Sequence, residues 1–331
     1  MTDQQRADQN GPRGGFDTPN LDWIARQSGF ACSTVNPICT PARCALLTGR
    51  YPRQIGMVTM SGDLDYQIPT MPQALQKAGY ATYGIGKFHF MQTWPWGTER
   101  GDGWDFLKNE PAMHRFGFDY VWETAGKQQI IQNYDHYCAY LDQKGLLEGY
   151  RDFILESGGG NGDTADHNYD QCHPFPYPLE DYVDTVTGRI ACEQLEKHPQ
   201  DQPFYMFVSF CGPHKPYDPP KCYLDRYEIE RDDNFVLEAG QTLTDAQKEA
   251  VYRERRAAKA MLKLIDDQVG ELFSVLKRRD FFKDTLIVFA SDHGDMLGDH
   301  ALIQTGVPWK QSVMVPLAVA LPGAKPLGQT G

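Results

Sequence analysis

Cys39-Thr40-Pro41-Ala42-Arg43, continued by Leu47-Thr48-Gly49-Arg50, holds the residues of this chain best placed to do chemistry. Thr40 can cap a helix, and Pro41 suits a first helical position because its φ is fixed and its N–H is absent. Ala42 to Leu47 is a helix-forming run, so Cys39 stands at a predicted helix entrance. Unpaired N–H groups and the positive end of the helix dipole favour an anion there. The plain alternative is a buried cysteine beside a helix start.

Four further clusters fall where a strand gives way to a turn. Ser291-Asp292-His293-Gly294-Asp295 follows an apolar run and offers a carboxylate and an imidazole to a cation. Asp3-Gln4 would be a second oxygen-bearing pair if it too ends a strand. Oxygen ligands suit Ca²⁺ or Mg²⁺, and an imidazole nitrogen admits Mn²⁺ or Zn²⁺. In Gly86-Lys87-Phe88-His89 an extended backbone puts Lys87 and His89 on one side. The prolines of Gly212-Pro213-His214-Lys215-Pro216-Tyr217 fix the backbone and aim His214. Taken singly, each has a structural reading: turn formation for Asp292-His293, an exposed chain end for Asp3-Gln4, a solvated Lys87, a rigid turn around His214.

The elements that must position these groups alternate. Helices are predicted from Asp17 to Arg26, from Thr70 to Gly79, from about Leu179 to Lys197 and from about Thr244 to Arg278. Strands are predicted at Phe30–Val35, Tyr80–Ile85, Phe204–Phe210, Thr285–Ala290 and Val315–Leu321, with Gly84-x-Gly86 as a turn. The pattern argues for an α/β fold, a doubly wound and largely parallel sheet flanked by helices, with ligands at the carboxyl ends of the strands. Residues 91–178 read as long loop excursions facing substrate. Trp94, Trp96, Trp104 and Tyr134 could stack on a sugar or aryl face there, or form local loop cores, which is the expectation.

The 331 residues carry 44 acidic against 32 basic side chains, a formal net charge of −12, which disfavours nucleic acid and anionic membranes as partners. No apolar run approaches the roughly 18–20 residues that span a bilayer. Nor does a signal peptide open the chain, so a cytoplasmic location is expected. The eight cysteines form no CxxC pair, and free thiols are expected rather than a structural zinc site.

CTPAR with LTGR, GKFHF, GPHKPY and SDHGDMLGDH, in this order, resemble the type I sulfatases, as does the opening MTDQQRAD with DTPNLDWIA. The resemblance covers essentially the whole chain. It implies an alkaline-phosphatase-like α/β fold over residues 1–331 and hydrolysis of a sulfate monoester on a carbohydrate or an aryl or other small molecule. It further implies that Cys39 is converted to formylglycine by a formylglycine-generating enzyme and that its hydrate is the nucleophile. Arg43 and Lys87 would anchor that group, His89 would take its proton in the second step, and His214 would help protonate the leaving oxygen. Asp3, Gln4, Asp292 and His293 would hold one divalent metal, Ca²⁺ first, with Mn²⁺, Mg²⁺ and Zn²⁺ open. The family's commonest set is acidic at the second position and Asn at the fourth, so Gln4 and His293 make this site less negative.

Three departures stand against the resemblance. Thr305 occupies the place of a lysine that contacts sulfate in the family, with Lys310 nearby as a substitute. The apolar strand that leads into the first aspartate is missing, so Asp3 is expected to lack its scaffold. The smaller C-terminal subdomain is expected to be mostly absent. The same residues also fit a phosphonate or phosphate ester hydrolase, to which Gln4 and His293 incline, or an inert anion-binding relative. A cysteine hydrolase using Cys39 with His89 or His214 is the remaining alternative.

Overall fold

A computed structural model describes residues 1–9, 15–92, 101–157 and 172–323. The order is α1 (Pro19–Ser28), β1 (Gly29–Ser33), α2 (Cys39–Thr48), α3 (Met71–Lys77), β2 (Ala81–Lys87), α4 (Phe106–Arg115), β3 (Tyr120–Thr124), α5 (His136–Gln143) and α6 (Leu147–Glu156). It continues through α7 (Val183–Lys197), β4 (Phe204–Ser209), α8 (Lys221–Leu224), α9 (Asp245–Arg278), β5 (Ile287–Ala290), α10 (Lys310–Val313) and β6 (Met314–Ala320).

β2 lies between β3 and β4 and is parallel to both. β6 lies between β5 and β1 and is antiparallel to both. Residues 1–3 join the two ladders, with Thr2 bridging to Ser291 and Asp3 to Pro213, both in parallel sense. The Thr2 N–H donates to Ala290 O and the Asp3 N–H to Gly212 O, each at 3.0 Å. Asp3 therefore does not lack a scaffold: a short backbone segment wedged between the ends of β4 and β5 seats it, and this segment is too short to show as a strand in sequence. The fold is α/β, its strands parallel through the middle, with β6 alone reversed between β5 and β1.

Two sequence expectations change here. Gly84 and Gly86 lie inside β2 rather than in a turn, and β2 continues to Lys87. Gly86 has φ +101°, and a Cβ there would meet Ser209 O at 1.9 Å. Gly86→Ala is thus expected to cost at least about 3 kcal/mol, because strand pairing and backbone strain fail together. Urea denaturation of the variant reads this directly.

Residues 101–157, expected to be irregular, carry α4, β3, α5 and α6. What organises them is burial: Tyr137, Cys138, Leu141, Tyr150 and Ile154 are at most 1% exposed and pack with Phe175, Tyr182 and the α9 residues Met261 and Leu264. Aromatic and polar side chains dominate this stretch, so the helical period is weak in sequence. Of the aromatic group singled out above, Trp104 is exposed and the Tyr134 hydroxyl donates to Asp142, while Trp94 and Trp96 lie outside the described residues.

α9 matches its predicted span, opened by Thr244, whose hydroxyl accepts the Gln247 N–H in a reciprocal capping box. Its apolar stripe of Ala257, Met261, Leu264 and Ile265 is fully buried. Among the described residues no helix is long and apolar enough to cross a membrane. None of the eight cysteines is in a disulfide.

Candidate active site

Cys39 is the first residue of α2, with Ile38 in the cap position; Thr40 lies inside the helix and does not cap it. The helix is buried along most of its length, and Cys39 is 5% exposed. Around its sulfur stand groups from three distant segments. His293 Nε2 is 3.0 Å from Sγ, Asp3 Oδ1 is 3.7 Å away and Lys87 Nζ is 3.7 Å away. One ligand atom each from Asp3, Cys39, Asp292 and His293 falls within 4.8 Å of the others.

Arg43 lies one helical turn after Cys39, so its side chain runs along the same face of α2. Its Nε donates to Asp292 Oδ2 at 2.7 Å, and its Nη1 donates to Lys87 O at 2.6 Å and to Ser209 Oγ at 2.8 Å. Lys87 forms a buried ion pair with Asp3. Burial alone would lower the Lys87 pKa, but Asp3 and the Cys39 sulfur push it up to about 12. Burial would raise the Asp3 carboxyl, and Lys87, Arg43 and His293 together hold it below its ordinary value. Burial would likewise lower His293, but Asp292, the Cys39 sulfur and Asp3 push it up to about 10.

The donor set fits a divalent metal. Two carboxylates and an imidazole converge in a space sealed from water, where two anions together are stable only with cations among them. His293 Nδ1 lies 3.0 Å from Gly294 O, which holds the Nδ1 hydrogen, so a metal taken up at Nε2 would displace only the proton that the carboxylates favour there. Gln4 is buried beside this set: its N–H donates to Asp292 Oδ1 at 3.1 Å and its side-chain Nε2 donates to Asp295 Oδ2 at 2.7 Å. Two buried polar atoms at this site make no hydrogen bond: Arg43 Nη2, which lies 3.8 Å from Asp3 Oδ1, and His89 Nδ1. Orphaned groups of this kind are costly unless something binds them.

His89 follows β2 with φ +54°. Phe88 and Phe90 on either side are buried in an aromatic cluster with Phe116 and Phe118, which turns Lys87 and His89 the other way. The His89 ring places Nε2 at 2.6 Å from Ala125 O, leaving Nδ1 as the acceptor. His214 is half-buried in the turn after β4 and puts Nδ1 at 2.7 Å from Lys215 O. That turn is held by Asp184 of α7, whose carboxylate accepts the Cys211 and Gly212 N–H groups at 2.6 and 3.0 Å. Ser209 and Asp184 carry no motif in sequence; only their places at the end of β4 and opposite it reveal them.

Burial first, then the charge of Lys87, hold both His89 and His214 well below the ordinary imidazole range. Arg43 adds to this at His89 and His293 at His214. The unfolded chain takes up protons on these residues below about pH 6.5 and the folded chain does not. Stability is therefore expected to fall with acidification from that point, by about 1.4 kcal/mol per pH unit for each imidazole. Denaturation midpoints across pH 5–7 in the His89→Gln variant, against the unaltered protein, check the sign and the share.

Thr305 and Lys310 are placed differently. The Thr305 hydroxyl donates to Pro37 O and pairs with Ser312 Oγ, each at 2.8 Å, so it ties down the segment leading into Cys39. Lys310 is exposed at the start of α10 and makes none of the hydrogen bonds or ion pairs described for the site. The structure brings Asp3, Gln4, Cys39, Arg43, Lys87, His89, Asp292 and His293 together, with His214 near enough to sense Lys87 and His293.

Residues 1–329 match the family model described as Sulfatase. The chain belongs to the sulfatase family. Relatives include an arylsulfatase of Clostridium perfringens, 27% identical over all of this chain and 69% of its own length. A choline-sulfatase of Rhizobium meliloti is 28% identical over 96% of this chain and 60% of its own. This sulfatase-family chain thus spans about two thirds of the length of these proteins. Its fold is also that of the phosphonate monoester hydrolase of Agrobacterium radiobacter, with a TM-score of 0.71 at 21% identity over 98% of this chain and 67% of that one. The alkaline-phosphatase-like α/β fold of sulfuric ester hydrolases is the fold seen here.

Proposed function

We propose that this sulfatase-family chain hydrolyses a sulfate monoester, on a carbohydrate or an aryl or other small molecule, at residue 39. The observation that carries the reading is the convergence of Asp3, Asp292 and His293 on Cys39, with Arg43 and Lys87 paired into the same cluster. Asp3, Gln4, Asp292 and His293 would hold a divalent metal, which supplies Lewis-acid polarisation of oxygen. Cys39 converted to formylglycine by a generating enzyme would supply a hydrated aldehyde in place of the thiol.

The chain's own residues do the rest. With His293 neutral, as it would be on a metal, two carboxylates, Asp3 and Asp292, balance two cations, Arg43 and Lys87, so the protein side chains leave little net charge for an anionic ester. A dication brings the surplus that draws the ester in. Arg43 and Lys87 bind and orient oxygen at residue 39. His89 accepts a proton at Nδ1, the lone pair that no protein group claims. His214, whose Nδ1 hydrogen is held by Lys215 O, would donate from Nε2 to the leaving oxygen, which matters most for alkoxides. It would do so once the anionic ester offsets the burial and Lys87 charge that keep the free ring neutral. Ca²⁺ is the first choice of metal, with Mn²⁺, Mg²⁺ and Zn²⁺ compatible with the His293 nitrogen.

A phosphonate or phosphate ester is the second reading. What favours it is that Gln4 and His293 leave the metal set less negative, which suits an ester at least as highly charged as a sulfate. The test is protein produced with a maturation enzyme, assayed on paired aryl sulfate and aryl phosphonate esters. A faster sulfate reaction supports the first reading and a faster phosphonate reaction the second; no turnover of either supports an inert anion binder. Chelation is expected to cut turnover at least about 100-fold, since loss of a Lewis acid removes several kcal/mol of transition-state stabilisation. Re-addition of Ca²⁺ or Mn²⁺ restores it.

A further inference from the structure

We propose that Asp135 is a positioning residue for His89, acting through the turn that carries Ala125. The inference rests on the reading of His89 as a proton acceptor at Nδ1. A carbonyl can only accept, so the 2.6 Å contact of His89 Nε2 with Ala125 O puts the ring hydrogen on Nε2. That single bond keeps Nδ1 unprotonated, and Nδ1 itself is buried without a partner. The tautomer of His89 is therefore only as firm as the place of Ala125.

Ala125 directly follows β3 and is fully buried. Its N–H donates to Asp135 Oδ2 at 2.7 Å. The other oxygen of the same carboxylate accepts the Cys138 N–H at 2.7 Å and so caps α5. Asp135 is 0% exposed, and each of its oxygens is engaged by a backbone donor. A helix cap needs one acceptor, and Ser, Thr or Asn would serve as well. Holding the cap and the Ala125 N–H at once takes two acceptor atoms a carboxylate's width apart. The residue type thus exceeds what α5 requires, and the excess is spent on the turn.

The turn also meets Lys87. Gly126 has φ +100°, and a Cβ on it would sit 3.3 Å from Lys87 Cε, so the backbone lies directly on the lysine stem. A displaced turn disturbs the proton acceptor and one of the two anchoring cations together. Asp135 touches neither residue itself, which is why its role is positioning.

Two variants separate this role from helix capping. Asp135→Asn keeps the size but leaves one backbone N–H facing an amide instead of an acceptor. Asp135→Ser keeps the cap and is too short to reach Ala125. The direct readout is ¹⁵N NMR of histidine-labelled protein, with His89→Gln used to assign the His89 ring. Wild type is expected to give a fixed Nε2–H tautomer, and at least the Ser variant an averaged signal. On an aryl ester kcat is expected to fall about tenfold with KM little changed, the scale on which outer partners of an imidazole act. An unchanged His89 signal in both variants overturns the proposal, even with a lower melting temperature, since that is the mark of a lost cap alone. If the signal moves but His89→Gln turns over as fast as wild type, positioning stands and the proton-acceptor reading fails.

Discussion

Cys39→Ala is expected to lower kcat on an aryl sulfate by at least about 10⁴-fold while the fold survives, as when the nucleophile of a preorganised site is deleted. Cys39 is 5% exposed and its sulfur contacts polar groups, His293, Asp3 and Lys87. Removing it costs little packing, so stability should change by no more than about 1 kcal/mol. The activity loss is separate from metal binding, because the carboxylates and His293 remain. A matching test leaves the sequence intact: protein made without a maturation enzyme should be as inactive as Cys39→Ala. Maturation lowers the mass of the peptide carrying residue 39 by about 18 Da, as a thiol becomes an aldehyde. Turnover that persists in the variant, or in protein with its thiol intact, overturns the formylglycine reading.

Much of this site is legible in sequence because parallel strands place their carboxyl ends side by side. Lys87 ends β2, and His214 and Asp292 follow β4 and β5, so the fold needs only to stack those runs to unite the three. The helix entrance at Cys39 is local and reads correctly except for its cap. Illegible parts depend on long-range pairing. Asp3 looks like a chain end, and only bonds to Gly212 and Ala290 show it to be part of the sheet. β6 reads as one more buried strand, and nothing in its composition tells that both its ladders are antiparallel. Thr305 aligns with a substrate contact by position, yet its hydroxyl is taken by Pro37 and Ser312.

Arg43→Ala should have the second large effect, and its size should depend on metal. Arg43 is 1% exposed and links α2 to Asp292, to the end of β2 through Lys87 O, and to the end of β4 through Ser209. Without it Asp292 loses its 2.7 Å guanidinium partner in a sealed interior. Removing one member of a buried ion pair costs about 3–5 kcal/mol, most of it from the charge left alone. A dication held by Asp292 supplies another partner for that charge. The cost should therefore be largest in chelator and shrink when Ca²⁺ or Mn²⁺ is added. Arg43→Lys keeps the charge but loses the planar fork that engages Asp292, Lys87 O and Ser209 together, and should fall between wild type and Arg43→Ala. Turnover should drop about 10²–10³-fold in Arg43→Ala even with metal saturating, because a preorganised donor at residue 39 is gone. Urea denaturation with and without metal, run beside the kinetics, separates the two contributions. A cost under about 1 kcal/mol in chelator would mean that Asp292 is neutralised some other way, and the charge balance assigned to the site would be wrong.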